Sequence, residues 1–213
     1  MKLINGDCME YMKGLDDNSF ELAIVDPPYG IGMSGGKIGG DKLGISKDYK
    51  NFAGNDLCSP APEYFLELKR VSKNQIIWGA NHFISKMPFD SPCWIVWDKQ
   101  NTGNFADSEL AYTSFNTAVR NFRFTWNGMI QGDMKNKELR IHPTQKPVKL
   151  YEWLLSNYAK EGDRILDTHL GSGSSAIAAH YGGFDFTGCE LDKDYFEAAK
   201  ARIDRETSQI AMF

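Results

Sequence analysis

The chain has 213 residues, 42% of them hydrophobic and 13% aromatic, enough for one domain with a substantial core. It has no apolar run near the ~18–20 residues that span a bilayer, and its opening MKLINGDCMEYM lacks the pattern of a secretory signal. A cytoplasmic protein with no membrane partner is expected. Cys8, Cys58, Cys93 and Cys189 are too scattered for a zinc site or a disulfide framework, and a net charge of −4 does not advertise nucleic-acid binding.

Taken in chain order, short apolar runs repeatedly end at an acidic residue or a glycine turn. Lys2–Asn5 precedes Gly6-Asp7, and Leu22–Val25 precedes Asp26-Pro27-Pro28-Tyr29. Residues 30–56 follow without periodicity, carrying Lys37, Lys42, Lys47 and Lys50. A stretch of that length suggests a mobile loop at the mouth of a site. Pro62–Val71 has apolar residues at helical spacing. Gln75–Trp78 and Cys93–Trp97 read as strands. Between 108 and 130, Leu110, Tyr112 and Ser114, then Phe122, Phe124 and Trp126, alternate as in an antiparallel hairpin.

Beyond a basic cluster of Lys135, Lys137 and Arg140, Val148–Tyr158 again has helical periodicity. Arg164–Leu166 is a strand ending at Asp167, Ala176–His180 a helix, and Phe184–Cys189 a strand ending at Glu190. Asp192 is placed to cap a helix with Phe196, Ala199 and Ile203 along one stripe. Strands alternating with helices predict an α/β fold, a Rossmann-like mixed, mostly parallel sheet with helices on both faces, in a single domain.

Two segments carry chemistry. Asp167-Thr168-His169-Leu170-Gly171-Ser172-Gly173-Ser174 turns from a strand into a helix, where glycines let the backbone approach a ligand closely. Glu190, at the end of the next strand, is placed to accept hydrogen bonds from ribose hydroxyls. This is a nucleoside-binding arrangement, and by itself it does not separate S-adenosylmethionine from a dinucleotide. Asp26-Pro27-Pro28-Tyr29 is a rigid turn: two prolines remove two backbone donors, leaving a carboxylate, a carbonyl and an aromatic ring on offer.

The order of Asp26–Tyr29, then His142-Pro143-Thr144-Gln145-Lys146-Pro147, then Asp167–Gly173 resembles the β class of amino DNA methyltransferases across nearly the whole chain. That resemblance implies a class I methyltransferase fold, S-adenosylmethionine as cofactor and DNA as substrate. It assigns Asp26, Pro27, Pro28 and Tyr29 to the catalytic turn. The cofactor would be held by Asp7, Cys8, His142, Thr144, Gln145, Lys146, Asp167, His169, Gly171, Ser172, Gly173, Ser174 and Glu190, with Lys146 in a segment lining its methionine part. No metal is implied. DPPY points to the N6 amine of adenine, with the N4 amine of cytosine as the alternative and an RNA or protein substrate behind both. A non-catalytic nucleoside-binding subunit and a dinucleotide oxidoreductase are the other rivals.

His169 departs from the family's phenylalanine, and a packing role is expected for it. The candidate target-recognition segment, residues 128–141, is short. Specificity is therefore expected to be slight, or to come from the 30–56 loop, from a homodimer or from an accessory partner, in a restriction-modification or solitary setting.

Overall fold

The computed structural model describes residues 1–32, 36–38, 47–49, 58–87, 89–101, 106–127 and 130–208. Strand β1 (Lys2–Asn5) turns into helix α1 (Cys8–Lys13), whose first turn is capped by Asp7 accepting from the Met9 amide at 2.7 Å. Strand β2 (Phe20–Val25) ends at Asp26. A small ribbon pairs β3 (Gly36–Ile38) with β4 (Lys47–Tyr49), antiparallel. The rest of the loop expected over 30–56, residues 33–35, 39–46 and 50–56, lies outside the described residues, as do the lysine side chains along it.

Helix α2 (Pro62–Val71) has the bounds its periodicity predicts, and runs directly into β5 (Ser72–Trp78). Strands β6 (Trp94–Asp98), β7 (Ser108–Thr113) and β8 (Arg120–Arg123) follow, then a short antiparallel ribbon of β9 (Trp126–Asn127) and β10 (Ile130–Gln131). The last third alternates: α3 (Val148–Tyr158), β11 (Arg164–Asp167), α4 (Ser174–Tyr181), β12 (Asp185–Glu190) and α5 (Lys193–Thr207). Asp192 caps α5 as expected, accepting from the Asp194 and Tyr195 amides.

Eight strands form one sheet in the order β1-β12-β11-β2-β5-β7-β6-β8. All run parallel except β7, which is antiparallel to both β5 and β6. The expected hairpin between 108 and 130 does not form. β6 inserts between β7 and β8 and pairs with each, antiparallel to the first and parallel to the second. Alternation reports which face a side chain occupies but not which strand lies alongside.

Each face of the sheet carries its own core. Leu22 and Ile24 of β2 pack with Leu150, Leu154, Ala176, Ala199 and Ile203 of α3, α4 and α5. Their neighbours Ala23 and Val25 pack on the other face with Met12 of α1 and Phe65 and Leu68 of α2. The period of two along one strand thus divides the molecule into three layers. Among the described residues no helix is long and apolar enough to cross a membrane.

Candidate active site

Because β1, β12, β11, β2 and β5 are parallel and adjacent, the residues that follow them lie side by side along one edge of the sheet. In spatial order these are Asp7, Glu190, the Asp167 loop, Asp26 and Gly79. Ligands of open α/β sheets bind outside this edge. A cleft of about 1710 Å³ opens there, beyond the ~300–1,000 Å³ of a single small-molecule site and roomy enough for two ligands. Of the residues assigned from sequence, Asp7, Cys8, Asp26, Pro27, Pro28, Tyr29, His142, Thr144, Gln145, Lys146, His169, Gly171, Ser172, Ser174 and Glu190 all line it. Asp167 and Gly173 lie behind its wall.

The two that lie behind shape the loop. Asp167 is 1% exposed; its carboxylate accepts from the Ser175 hydroxyl at 2.5 Å and from the His169 amide at 3.0 Å. Burial pushes its pKa up to about 7. Gly173 has φ +76°, and an added Cβ would stand 2.8 Å from Ile203 Cδ1, so glycine is needed both for the turn and for the approach of α5. Glu190 accepts from the Gly171 amide at 2.9 Å through one oxygen and from the Asp192 amide at 3.0 Å through the other. Each oxygen keeps a lone pair, so the carboxylate is oriented by backbone and still able to take hydroxyl donors. With Asp7 at the end of the neighbouring strand, these acceptors fit the ribose and base of a nucleoside.

His169 donates no charge to this end. Burial lowers its pKa to about 4, Thr168 Oγ1 lies 2.9 Å from its Nδ1, and Tyr64 packs edge-on at 5.4 Å. Cys8 is held as a thiol, its pKa pushed up to about 12 chiefly by burial. His142 is likewise neutral, lowered to about 4 by burial, with its Nδ1 3.3 Å from the Thr144 amide. The Gln145 side chain accepts from the Ile141 amide at 2.9 Å, and the Gln145 backbone carbonyl accepts from the Trp126 indole at 2.7 Å.

At the other end stands Asp26. Tyr29 donates its phenol to Asp26 Oδ1 at 2.8 Å, and Lys146 Nζ lies 2.6 Å from Asp26 Oδ2. The structure thus brings Lys146 to the Asp26 turn. The same ammonium is 3.0 Å from Tyr29 Oη and 3.1 Å from Glu109 Oε2. Burial works against its charge, yet Asp26 and Glu109 together raise its pKa above the ordinary lysine value. Burial raises Asp26, and the pull of Lys146 offsets only part of that. The Tyr29 ring packs against Gly79, φ +68°, where an added Cβ would collide with Cε1. His82 stacks on the ring at 5.0 Å and 17°.

Sequence reasoning missed four residues here. Glu109 and Lys99 are paired with each other; Glu109 lies in the segment misread as a hairpin, and Lys99 follows the strand read over Cys93–Trp97. His82, stacked on Tyr29, has no evident partner in the sequence. Arg202, 2% exposed, donates to the Ser172 carbonyl at 2.8 Å, to Ser174 Oγ at 2.9 Å and to Glu138 Oε2 at 2.7 Å. Glu138 in turn accepts from the Val148 amide at the start of α3. Arg202 therefore ties the glycine loop to the segment that carries Lys146. Only its place three residues after Ala199, on the buried stripe of α5, could have signalled it.

Comparison with known proteins shows the family and the fold. A family model described as DNA methylase matches residues 20–201. The type II methyltransferase M.HpaI of Haemophilus parainfluenzae is 30% identical, over 96% of this chain and 74% of its own. In fold, the chain resembles M1.HpyAVI in its SAM complex (TM-score 0.56, 21% identity, 94% and 98% of the two chains covered). It also resembles the PvuII DNA methyltransferase, cytosine-N4-specific (TM-score 0.60, 14% identity, 97% and 91% covered). A glycine loop and a rigid acidic turn opening into one cleft, and a family match over most of the chain, lead to one conclusion: the protein belongs to the DNA methylase family of amino-methyltransferases that use S-adenosylmethionine.

Proposed function

We propose that the chain transfers a methyl group to the exocyclic N6 amine of adenine in DNA. The observation that carries this reading is the adjacency of β11 and β2, in register at Leu166 and Ala23, which sets the donor loop beside Asp26. S-adenosylmethionine, when bound, supplies an electrophilic methyl group. Asp7, the Gly171 backbone and Glu190 are suited to hold its nucleoside, and positioning of two reactants lowers a barrier by ~7–11 kcal/mol.

The amine itself is a poor nucleophile, because its lone pair is delocalised into the ring. Asp26 and the Pro27 carbonyl each accept one of its N–H groups, favouring a pyramidal nitrogen with a localised lone pair. Asp26 has acceptor capacity to spare beyond Tyr29 and Lys146, since a carboxylate offers ~four lone-pair sites. The product nitrogen sheds its extra proton after transfer, and no metal is needed for any step.

A target base reaches such a cleft only when flipped from the duplex, at a cost of a few kcal/mol. Stacking on Tyr29 returns ~1–3 kcal/mol, and the base takes this face by replacing His82. Lys137 and Arg140 at the rim of the cleft are placed to meet phosphates.

The acceptors at Asp26 and Pro27 serve the N4 amine of cytosine equally well, and one fold relative is cytosine-N4-specific; the DPPY tetrapeptide favours adenine. Digesting DNA methylated by the purified protein and identifying the modified nucleoside by mass spectrometry decides between them. N6-methyladenine is the expected product, and N4-methylcytosine alone would overturn the assignment.

A further inference from the structure

We propose that Glu109 and Lys99 are positioning residues for methyl transfer, fixing the Lys146 ammonium so that it is shared between two carboxylates and leaves Asp26 open to the base. The inference rests on the functional reading above and deepens it. Its ground is a chain of alternating charge, Asp26–Lys146–Glu109–Lys99, running from the catalytic turn along the cleft. Lys146 Nζ has three acceptors within reach, Asp26 Oδ2 at 2.6 Å, Tyr29 Oη at 3.0 Å and Glu109 Oε2 at 3.1 Å. An ammonium has three N–H groups, so none is left over. Its side chain is 4% exposed, and it cannot swing away to water.

Topology explains why these residues meet. β7 is the antiparallel strand, so its first residues, including Glu109, lie at the edge where β2 and β6 end. Lys99, one residue beyond β6, closes the chain there and lies over the Trp97 ring at 5.1 Å. Sharing one ammonium between two carboxylates keeps Lys146 from committing wholly to Asp26. Lys99 in turn neutralises Glu109. Burial alone would raise the Glu109 pKa, but Lys146 and Lys99 hold it at about 2, so it remains a fixed negative charge at working pH.

Asp26 is faced by Lys146, by Tyr29 of its own turn, by Glu109 of β7, by Tyr151 of α3 and by Asp167 of β11. Methyl transfer requires Asp26 ionised, so activity falls on its acid side as Asp26 is protonated. Glu109→Gln removes a negative charge that raises the Asp26 pKa and leaves Lys146 to act on Asp26 alone, moving the acid limb to lower pH. Lys99→Met leaves Glu109 unneutralised and moves the limb to higher pH. Charges at this range shift a carboxyl by ~1 pH unit or more.

The test is the pH–rate profile of DNA methylation, at saturating donor, for the wild type, Glu109→Gln and Lys99→Met. Donor affinity is measured by calorimetry and folding by thermal melting. The expected result is limbs displaced in opposite directions with donor affinity at the wild-type value. Limbs that stay put, as they would if Asp167 set them, or that move the same way, overturn the proposal, as does a parallel loss of donor binding. If Glu109→Gln does not fold, Lys99→Met alone must still move the limb upward. A wild type that methylates no DNA removes the functional reading and this inference together.

Discussion

Asp26→Asn is expected to lower the rate of methyl transfer by ~10²–10³-fold or more, the scale on which enzymes lose rate when one preorganised electrostatic partner is removed. The substitution keeps the size of the side chain but trades an acceptor-only carboxylate for an amide with a donor end. That donor would face either the Lys146 ammonium, 2.6 Å from Oδ2 in the native protein, or the phenol at 2.8 Å from Oδ1. Donor binding should be little affected, because the nucleoside end of the cleft is built on β1, β12 and β11. Glu190→Ala should do the converse, weakening the donor by ~10–100-fold through loss of charge-assisted hydrogen bonds worth ~1.5–3 kcal/mol. Calorimetry alongside single-turnover methylation separates the two. Equal loss of donor binding in both variants would mean the division of the cleft is wrong.

The second large effect is on stability. Arg202→Ala removes the cation from a buried pair and leaves Glu138, whose side chain is 19% exposed, facing the cavity that results. Breaking such a pair from one side costs ~3–5 kcal/mol, which corresponds to a fall of ~6–20 °C in Tm for a chain of this size. The loss should reach function as well, because the Ser172 carbonyl and the Ser174 hydroxyl lose their donor and the loop is no longer braced against α5. A melting temperature within a few degrees of the wild type would show that the pair holds little of the fold together.

These two residues also mark where the sequence was legible and where it was not. Although its catalytic assignment came from the family resemblance, Asp26 stands at the end of an apolar run and is followed by two prolines, and local chemistry marks it as part of a rigid turn. Local chemistry likewise marks Asp167 and Glu190 at strand ends, and α2, whose bounds Pro62–Val71 follow from its periodic apolar residues. Arg202 was hidden because a helical stripe is read from its apolar members. The buried members of α5 are Tyr195, Ala199, Arg202 and Ile203, whereas apolarity selected Phe196 in place of Tyr195 and passed over the arginine.

Glu109 and Lys99 were hidden for a different reason. A charged residue at a strand end ordinarily faces solvent, and only the pairing of β7 between β5 and β6 turns Glu109 toward the cleft. Strand order depends on contacts between distant segments, so periodicity within either segment could not supply it. Lys146 lay between these cases. The motif marked it as part of the site, but its partner Asp26 is 120 residues away in sequence and was not deducible from spacing.

The account as a whole depends on the donor and the base amine meeting across one cleft. A crystal structure of the protein with bound S-adenosylmethionine tests this most directly. We expect the ribose hydroxyls on Glu190 and the methyl carbon turned toward Asp26, with room for a single nitrogen ~3–3.5 Å from the methyl and within hydrogen-bond reach of the carboxylate. A donor seated with its methyl group away from Asp26, walled off by the Tyr29–Lys146 contact, would contradict it.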